Sequence, residues 1–311
     1  VADTLTNNPA SFTQAVTFKL AEKTIPIVRS ALLYAQFGQT GRIQQGTDTL
    51  RFVQKPDLAA DTSYLSDEVT NPASEALPAI TKVDVTTKEI GRVVSISRRA
   101  GNISPLELVD WAKDTLGFDA ARRIDYEVRE EIVTGGTAFY STNDGTPTRA
   151  EVNDNFSMAL ARKALIKLQS LDLDTSGDVV NVTHPFVVGD IMADTTAGTG
   201  WTAAHQYKPE NMFNGEVGKA YNSRYVTTTR AKIFAGAGAS GKDVYITMSG
   251  LGPWAFGKAS IEDLRFTAVS PTPDHADALG RTWKLGYYMD FGVKVLDSTK
   301  FLRIESTATA I

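Results

Sequence analysis

The chain contains no cysteine. Disulfide frameworks, thiolate metal sites and cysteine nucleophiles are therefore excluded, and the composition fits a reducing compartment. Histidine is scarce too, with His184, His205 and His275 the three present. They show no zinc spacing, and neither HExxH nor a GxSxG elbow occurs. No apolar run approaches the ~20 residues of a helical membrane span. The opening stretch VADTLTNNPA is polar and has no signal-peptide core. Val1 in place of Met implies initiator removal or processing. There is no basic excess either: 32 Lys and Arg stand against 36 Asp and Glu. Such a surface lacks the footprint of a dedicated nucleic-acid binder and tends to repel DNA.

What is present suffices for a folded core. The 311 residues suggest about two domains, and 42% are hydrophobic. No repeat of solenoid or propeller period is visible. Residues 1–14 read as a loose arm, and 16–36 as helical with a break at Pro26. Strands follow at TDTLRFVQ (47–54) and KVDVTTKEIGRVVSIS (82–97). Between them, residues 55–78 are long for a structureless connection and read as a projecting hairpin loop. The clearest helix opens at SPLE, with Ser104 as N-cap, Pro105 in the first turn and Glu107 closing a capping box. Its stripe of Val109, Ala112, Leu116, Ala120, Ile124, Val128 and Ile132 is the expected helix core, and Gly135 and Gly136 end it. The neighbouring run RRIDYEVREE (122–131) reads as that helix's solvated face. Arg98 and Arg99 read as the end of a strand.

A second helix is expected over 154–170, strands over 178–184, 223–234, 243–249 and much of 281–306, and a helix or turn over 209–222. Helices and strands mix without βαβ regularity, so the class is α+β. Trp254, Phe256, Trp283, Tyr287 and Tyr288 read as core aromatics.

Two stretches imitate ligand loops. GAGASGKD (236–243) nearly matches the P-loop pattern, but Asp243 takes the hydroxyl position and DVYITMS after it is β-patterned, so it reads as a hairpin loop. DLDTSGD (172–178) resembles the start of a calcium loop but has Thr183 where the bidentate Glu belongs, and reads as a polar turn. His184, before Pro185, is placed to cap the helix that Pro185 starts. No catalytic residue, cofactor or metal site is assigned.

A long arm, a projecting β-loop, one very long helix and a mixed remainder occur in that order. The order resembles the major capsid proteins of tailed bacteriophages, which share the Hong Kong 97, or Johnson, fold. WTAAHQYKPENMFNGEVGKAYNSRYVTTTRAKIF (201–234) is similar to a segment of the coat-protein family typified by N-four-like phages. The strand GTDTLRF, His184–Pro185 after a strand, and ALGRTWKLGYYMDFGVKVLDSTKFLRIES (278–306) extend the resemblance over about residues 30–306.

The resemblance implies an N-terminal arm over 1–40, and an extended E-loop with its flanking strands over 41–97. It implies a P-domain over 98–150 plus about 255–290, holding a spine helix at 104–134. An A-domain would take 151–254 plus about 291–311. The implied function is a non-enzymatic subunit that self-assembles as pentamers and hexamers into an icosahedral virion shell. That shell would form in the host bacterial cytoplasm and enclose double-stranded DNA without sequence-specific binding or a membrane. Portal, scaffolding and decoration proteins are the implied partners. An encapsulin-type nanocompartment shell and a degenerate P-loop nucleotide-binding enzyme are the alternatives. In the loop, Tyr64 and Leu65 are expected to anchor on a neighbouring subunit, with Asp67 and Glu68 meeting its basic groups.

Overall fold

The computed structural model describes residues 33–44, 46–58, 76–104, 107–142, 148–171, 173, 179–194, 201–204, 215–271, 273 and 278–309. In chain order these carry β1 (Gln39–Arg42), β2 (Thr49–Gln54), β3 (Thr81–Thr86), β4 (Lys88–Ser97), α1 (Arg98–Ile103) and the 28-residue α2 (Leu108–Gly135). Then come β5 (Thr137–Tyr140), α3 (Met158–Gln169), β6 (Val179–Thr183), α4 (Pro185–Ala193), β7 (Trp201–Ala203), β8 (Glu216–Ala220), β9 (Ser223–Thr227) and β10 (Ile233–Phe234). The last strands are β11 (Val244–Ser249), β12 (Phe256–Ser260), β13 (Arg265–Val269), β14 (Thr282–Val295) and β15 (Leu302–Ser306). The expected helix over 16–36 falls almost wholly outside the described residues.

Two large sheets and a ribbon organise these elements. β14 is the axis of the five-stranded sheet. Its stretch 282–291 pairs antiparallel with all of β4, and its stretch 291–295 pairs with β12. β13 lies along its other edge, and β1 pairs parallel with β12. The eight-stranded sheet runs β5-β15-β11-β6-β9-β8-β7, with β10 added on β11. Its central strands β6 and β11 are buried along their whole length, as strands covered on both faces are, and they carry Asn181, Thr183, Thr247 and Ser249 buried among their apolar residues.

Alternation still sorts their side chains. Val180, Val182, Val226, Ile246 and Met248 enter one core with the C-terminal half of α2. Val179, Tyr225, Tyr245, Leu302 and Ile304 enter another, under α3 and α4. Between strands, the hydroxyls of buried Thr183 and Thr247 satisfy one another at 2.6 Å.

The apolar stripe of α2 divides between cores. Ala112, Leu116 and Ala120 pack on Leu285, Tyr287 and Met289 of β14, with Val109 and Ile124 partly buried beside them. Val128, Ile132 and Val133 pack instead under the eight-stranded sheet. Spacing explains this. Residues recurring every four positions drift ~40° per step on a helix turning ~100° per residue, so Ala112 and Ile132 point roughly 200° apart.

Several local expectations need correction. α2 begins at Leu108 with Glu107 as N-cap and no side-chain cap bond. Ser104 instead closes α1, in an extended conformation (φ −70°, ψ 130°), its N–H donating to the Ala100 carbonyl. Pro105 explains the choice, because a following proline disfavours helical backbone. Arg98 and Arg99 open α1, and Ser97 caps it by accepting the Ala100 N–H. Residues 216–220 form β8, paired to β9, rather than a helix or turn. Gly136 leaves α2 in an extended conformation (φ −74°), not a left-handed one. Here glycine serves close packing: a Cβ on Gly135 would sit 2.6 Å from Val295, and one on Gly136 2.8 Å from Phe301. Among the aromatics, Phe256 and Tyr287 are buried, but Trp254 is 44% exposed.

Ile132 is fully buried whereas Ile124 is half-covered. Ile132→Ala is therefore expected to cost about 2–5 kcal/mol, and Ile124→Ala clearly less. Urea unfolding of the two variants beside the parent measures both; equal losses would show the burial assignment to be wrong.

Candidate self-association site

A two-stranded ribbon of β2 and β3 stands apart from both large sheets. The two strands pair with each other in register from Thr49↔Thr86 to Gln54↔Thr81. The root is anchored: Leu50 and Phe52 pack on Ile43, Val85 and Ala259. Phe52 lies so close to β12 that a Cβ on Gly257 would sit 2.6 Å from its ring. Along the strands, Arg51 donates two hydrogen bonds to the Asp84 carboxylate, at 2.7 and 2.8 Å. Those bonds hold the Asp84 carboxyl below its ordinary range.

Toward the far end the ribbon becomes apolar and uncovered. Val53, Leu58, Leu77 and Ile80 are exposed, Leu77 by 85%. Clustered exposure of this kind marks an association surface, and a two-stranded ribbon is marginal on its own. Tyr64, Leu65, Asp67 and Glu68 lie outside the described residues. Leu116, Val128 and Ile132 of the expected helix core are buried, while Val109 and Ile124 are partly so.

A second feature was not anticipated from the sequence. Leu33, Tyr34 and Phe37, which follow the N-terminal residues, are buried against α2 and β12. The Ala35 peptide is gripped from both sides. Its N–H donates to Asp125 Oδ1 of α2 at 3.1 Å, and its carbonyl accepts from Lys258 Nζ of β12 at 2.6 Å. Asp125 is 2% exposed, so the run 122–131 is not solvated throughout. Burial pushes the Asp125 carboxyl up, against the backbone N–H groups of Ala35 and Tyr34 and the charges of Arg230 and Arg129, which pull it down. Burial likewise pushes the Lys258 ammonium down. The signal was in the spacing: Asp125 stands three and seven residues before Val128 and Ile132, on the same helix face.

The ligand-loop imitations resolve differently. Residues 236–243 link β10 to β11, which pair antiparallel, so the loop runs into a strand and not into an α-helix. Gly236 (φ +62°) and Gly241 (φ +74°) take left-handed turns. Asp243 Oδ1 accepts the Gly236 N–H at 2.8 Å, using a donor that a phosphate loop would offer its ligand. Of residues 172–178, all but Leu173 lie outside the described residues, as do His205 and His275. His184 caps α4, its Nδ1 accepting the Phe186 N–H at 3.2 Å. Among the described residues no helix is long and apolar enough to cross a membrane.

Neither a family model nor a curated protein matches the chain. Solved structures do match, over nearly its whole length. The capsid of Ralstonia phage GP4 superposes with a TM-score of 0.71 at 16% identity, covering 94% of this chain and 96% of that one. The capsid of Cyanophage P-SCSP1u gives 0.70 at 16% identity, over 94% and 93%. The capsid of Cyanophage Pam1 gives 0.69 at 13% identity, over 100% of both chains. At such identities the likeness is one of fold: this chain has the mixed α/β fold of these phage capsid chains.

Asp125→Ala leaves the Ala35 N–H without its acceptor and is expected to cost about 1–3 kcal/mol. Asp125→Asn keeps an acceptor and removes the buried charge. Because the folded pKa is raised, Asp125 stabilises the fold fully below its unfolded value near 3.8 and loses that contribution as pH rises through the folded value. The Asn variant should therefore gain on the parent as pH rises above ~4, as read by melting temperature from pH 4 to 7. A constant difference would place the charge in solvent. Lys242, whose Nζ reaches the Asn153 carbonyl at 3.4 Å, is expected to tolerate Ala with less than about 0.5 kcal/mol change and no change in nucleotide binding; saturable ATP binding lost in that variant would refute the hairpin reading.

Proposed function

We propose that this chain is the major capsid protein of a tailed bacteriophage, a structural subunit that assembles with copies of itself into the icosahedral shell around double-stranded DNA. The observation that carries the reading is the fold likeness to phage capsid chains over nearly the whole chain. The uncovered apolar end of the ribbon supports it from this chain's own chemistry, because that surface asks for a partner. The acidic balance of 36 acidic against 32 basic residues suits a container that must not hold its nucleic acid tightly.

In this reading the ribbon and the segment it carries are the E-loop, reaching over an adjacent subunit with Tyr64 and Leu65 as anchors. The five-stranded sheet and α2 form the P-domain and its spine helix. The eight-stranded sheet forms the A-domain, which meets its copies in pentamers and hexamers. The Asp125–Ala35–Lys258 grip fixes the root of the N-terminal arm. Portal, scaffolding and decoration proteins would complete a virion particle assembled in the host cytoplasm. The role is non-enzymatic.

Negative-stain microscopy of the purified chain tests this directly. Closed shells of uniform diameter are expected; a monomer that stays monodisperse under all assembly conditions overturns the reading. Deleting residues 60–74 should leave a folded subunit with few or heat-fragile shells. Shells as abundant and heat-stable as the parent's would remove the loop from the interface.

A further inference from the structure

A cleft of about 490 Å³ lies between α2 and the β4 edge of the five-stranded sheet, with Tyr287 of β14 also in its wall. Five arginines line it: Arg92 from β4, Arg122, Arg123 and Arg129 from α2, and Arg230 from the turn between β9 and β10. The lining carboxylates are Glu89, Asp119 and Asp125. Like charges gathered in a partly enclosed space repel one another unless an anion offsets them.

The carboxylates present are already committed. Asp119 accepts from Arg92 at 3.1 Å, from Arg122, and from the Tyr287 hydroxyl at 3.1 Å. Against the upward push of burial, those bonds hold its carboxyl below the ordinary range. Asp125 is turned to the Ala35 peptide, and burial pushes its carboxyl up, toward the neutral form. Glu89 accepts from the Tyr288 hydroxyl at 3.4 Å. Beyond the lining, Glu127 pairs with Arg123, and Glu130 with Arg129 and Lys232. Arg92 and Arg122 are left to share Asp119. Arg230 adds a third charge beside them. Burial first, then the charge of Arg122, pull its guanidinium below the ordinary range, with Asp125 opposing and Arg129 adding to the effect. Its place is fixed from two sides. Arg129 donates to the Arg230 carbonyl at 2.7 Å, and the Arg230 guanidinium lies 5.3 Å from the centre of the Phe118 ring.

Three guanidinium groups thus gather around one ionised carboxylate. Arg92 reaches Asp119 through Nη1 and Arg122 reaches it through Nη2. A guanidinium carries five N–H donors in a planar fork, and these two side chains remain 59% and 48% exposed. A further carboxylate would bring two oxygens and one charge. A phosphate brings up to four oxygens and two charges, the better match to several forks. We infer that the cleft is a binding site for a phosphate group, its oxygens held by Arg92, Arg122 and Arg230. Inorganic phosphate and the phosphodiester backbone of a nucleic-acid strand present the same recognisable chemistry. Bound there, the anion offsets the repulsion among the guanidinium groups and ties β4, α2 and the turn before β10 together. It therefore stabilises the single subunit, an effect that goes beyond the shell-forming role and does not depend on it.

Calorimetric titration of the full chain with sodium phosphate, at ionic strength held constant with chloride, tests the site. Saturable binding is expected, with a melting temperature raised by roughly 2 °C or more at saturation. Acetate should give neither effect. Arg122→Gln and Arg230→Gln should each weaken phosphate binding about tenfold or more. Arg98→Gln, outside the cleft, should leave it unchanged. A second titration, with a short oligothymidylate lacking terminal phosphates, separates the two sources. Oligonucleotide binding that is lost in Arg122→Gln assigns the cleft to the phosphodiester of a strand; binding of phosphate alone assigns it to the free ion.

Equal responses to phosphate and acetate, binding of neither probe, or phosphate binding undiminished in both glutamine variants overturns the inference. Should the variants fold poorly, the parent chain still decides. Tungstate, a strongly scattering tetrahedral oxyanion, is diffused into its crystals. Density among Arg92, Arg122 and Arg230 supports the site, and its absence there overturns it.

Discussion

One helix must bury two different faces, and most of the architecture follows from that requirement. α2 is 28 residues long, about 42 Å at ~1.5 Å per residue, and too long to lie within one core. Its apolar residues recur every four positions, so the buried stripe winds round the helix as it advances. The first half lies on the five-stranded sheet through Leu116 and Ala120. The second half enters the core of the eight-stranded sheet through Val128 and Ile132. The two sheets are thereby fixed to one rigid rod. Half-covered Ile124 marks the handover, and the glycines at 135 and 136 let β14 and Phe301 close on the rod's end.

The winding stripe also dictates where charge can sit. Around the handover, where Ile124 is only half-covered, the helix carries Asp125, Arg129 and Glu130. Asp125 faces inward and is matched by the Ala35 N–H. Glu130 is shared between Arg129 and Lys232, tying α2 to the strand region before β10. Buried polar pairs of this sort add little net stability, because desolvation offsets most of the attraction. What they supply is position. At the end of the helix, Arg303 of β15 donates to the Val133 carbonyl, one of the terminal acceptors that a helix leaves open. Arg149 in turn grips fully buried Glu305 at 2.6 and 2.8 Å, fastening β15 to the segment before α3.

How much of this was legible in the sequence depends on whether the signal was local. The long helix was, because seven apolar residues at spacings of three and four need no partner to be read. The ribbon strands were in part: β2 was read from its β-branched residues, but 82–97, read as one strand, divides at Thr87 into β3 of the ribbon and β4 of the five-stranded sheet. The start of α2 was misread because SPLE imitates a capping box, whereas the proline makes Ser104 the end of α1. β8 was missed because EVGKA has weak strand propensity, and its pairing with β9 and β7 comes from tertiary contact. The grip on Ala35 joins residues 90 apart and could be suspected only from the face that Asp125 shares with Val128. The expected loop contacts at Tyr64, Leu65, Asp67 and Glu68 involve another copy of the chain, and no reading of a single sequence locates such a partner.

Stability is unevenly spread, and the unevenness is itself informative. The central strands β6 and β11 are closed in by side chains on both faces. The ribbon is held at its root by Leu50, Phe52 and Val85. Its cross-strand Arg51–Asp84 pair is solvent-exposed, and such pairs add little to stability. Fixing backbone costs roughly 1–2 kcal/mol per residue, so a projecting ribbon is supported by what covers it more than by its own bonds. The apolar residues Val53, Leu58, Leu77 and Ile80 lie toward the end farthest from the root, where the parent body offers least. Hydrophobic side chains placed where the chain's own core does not reach them form a surface suited to association.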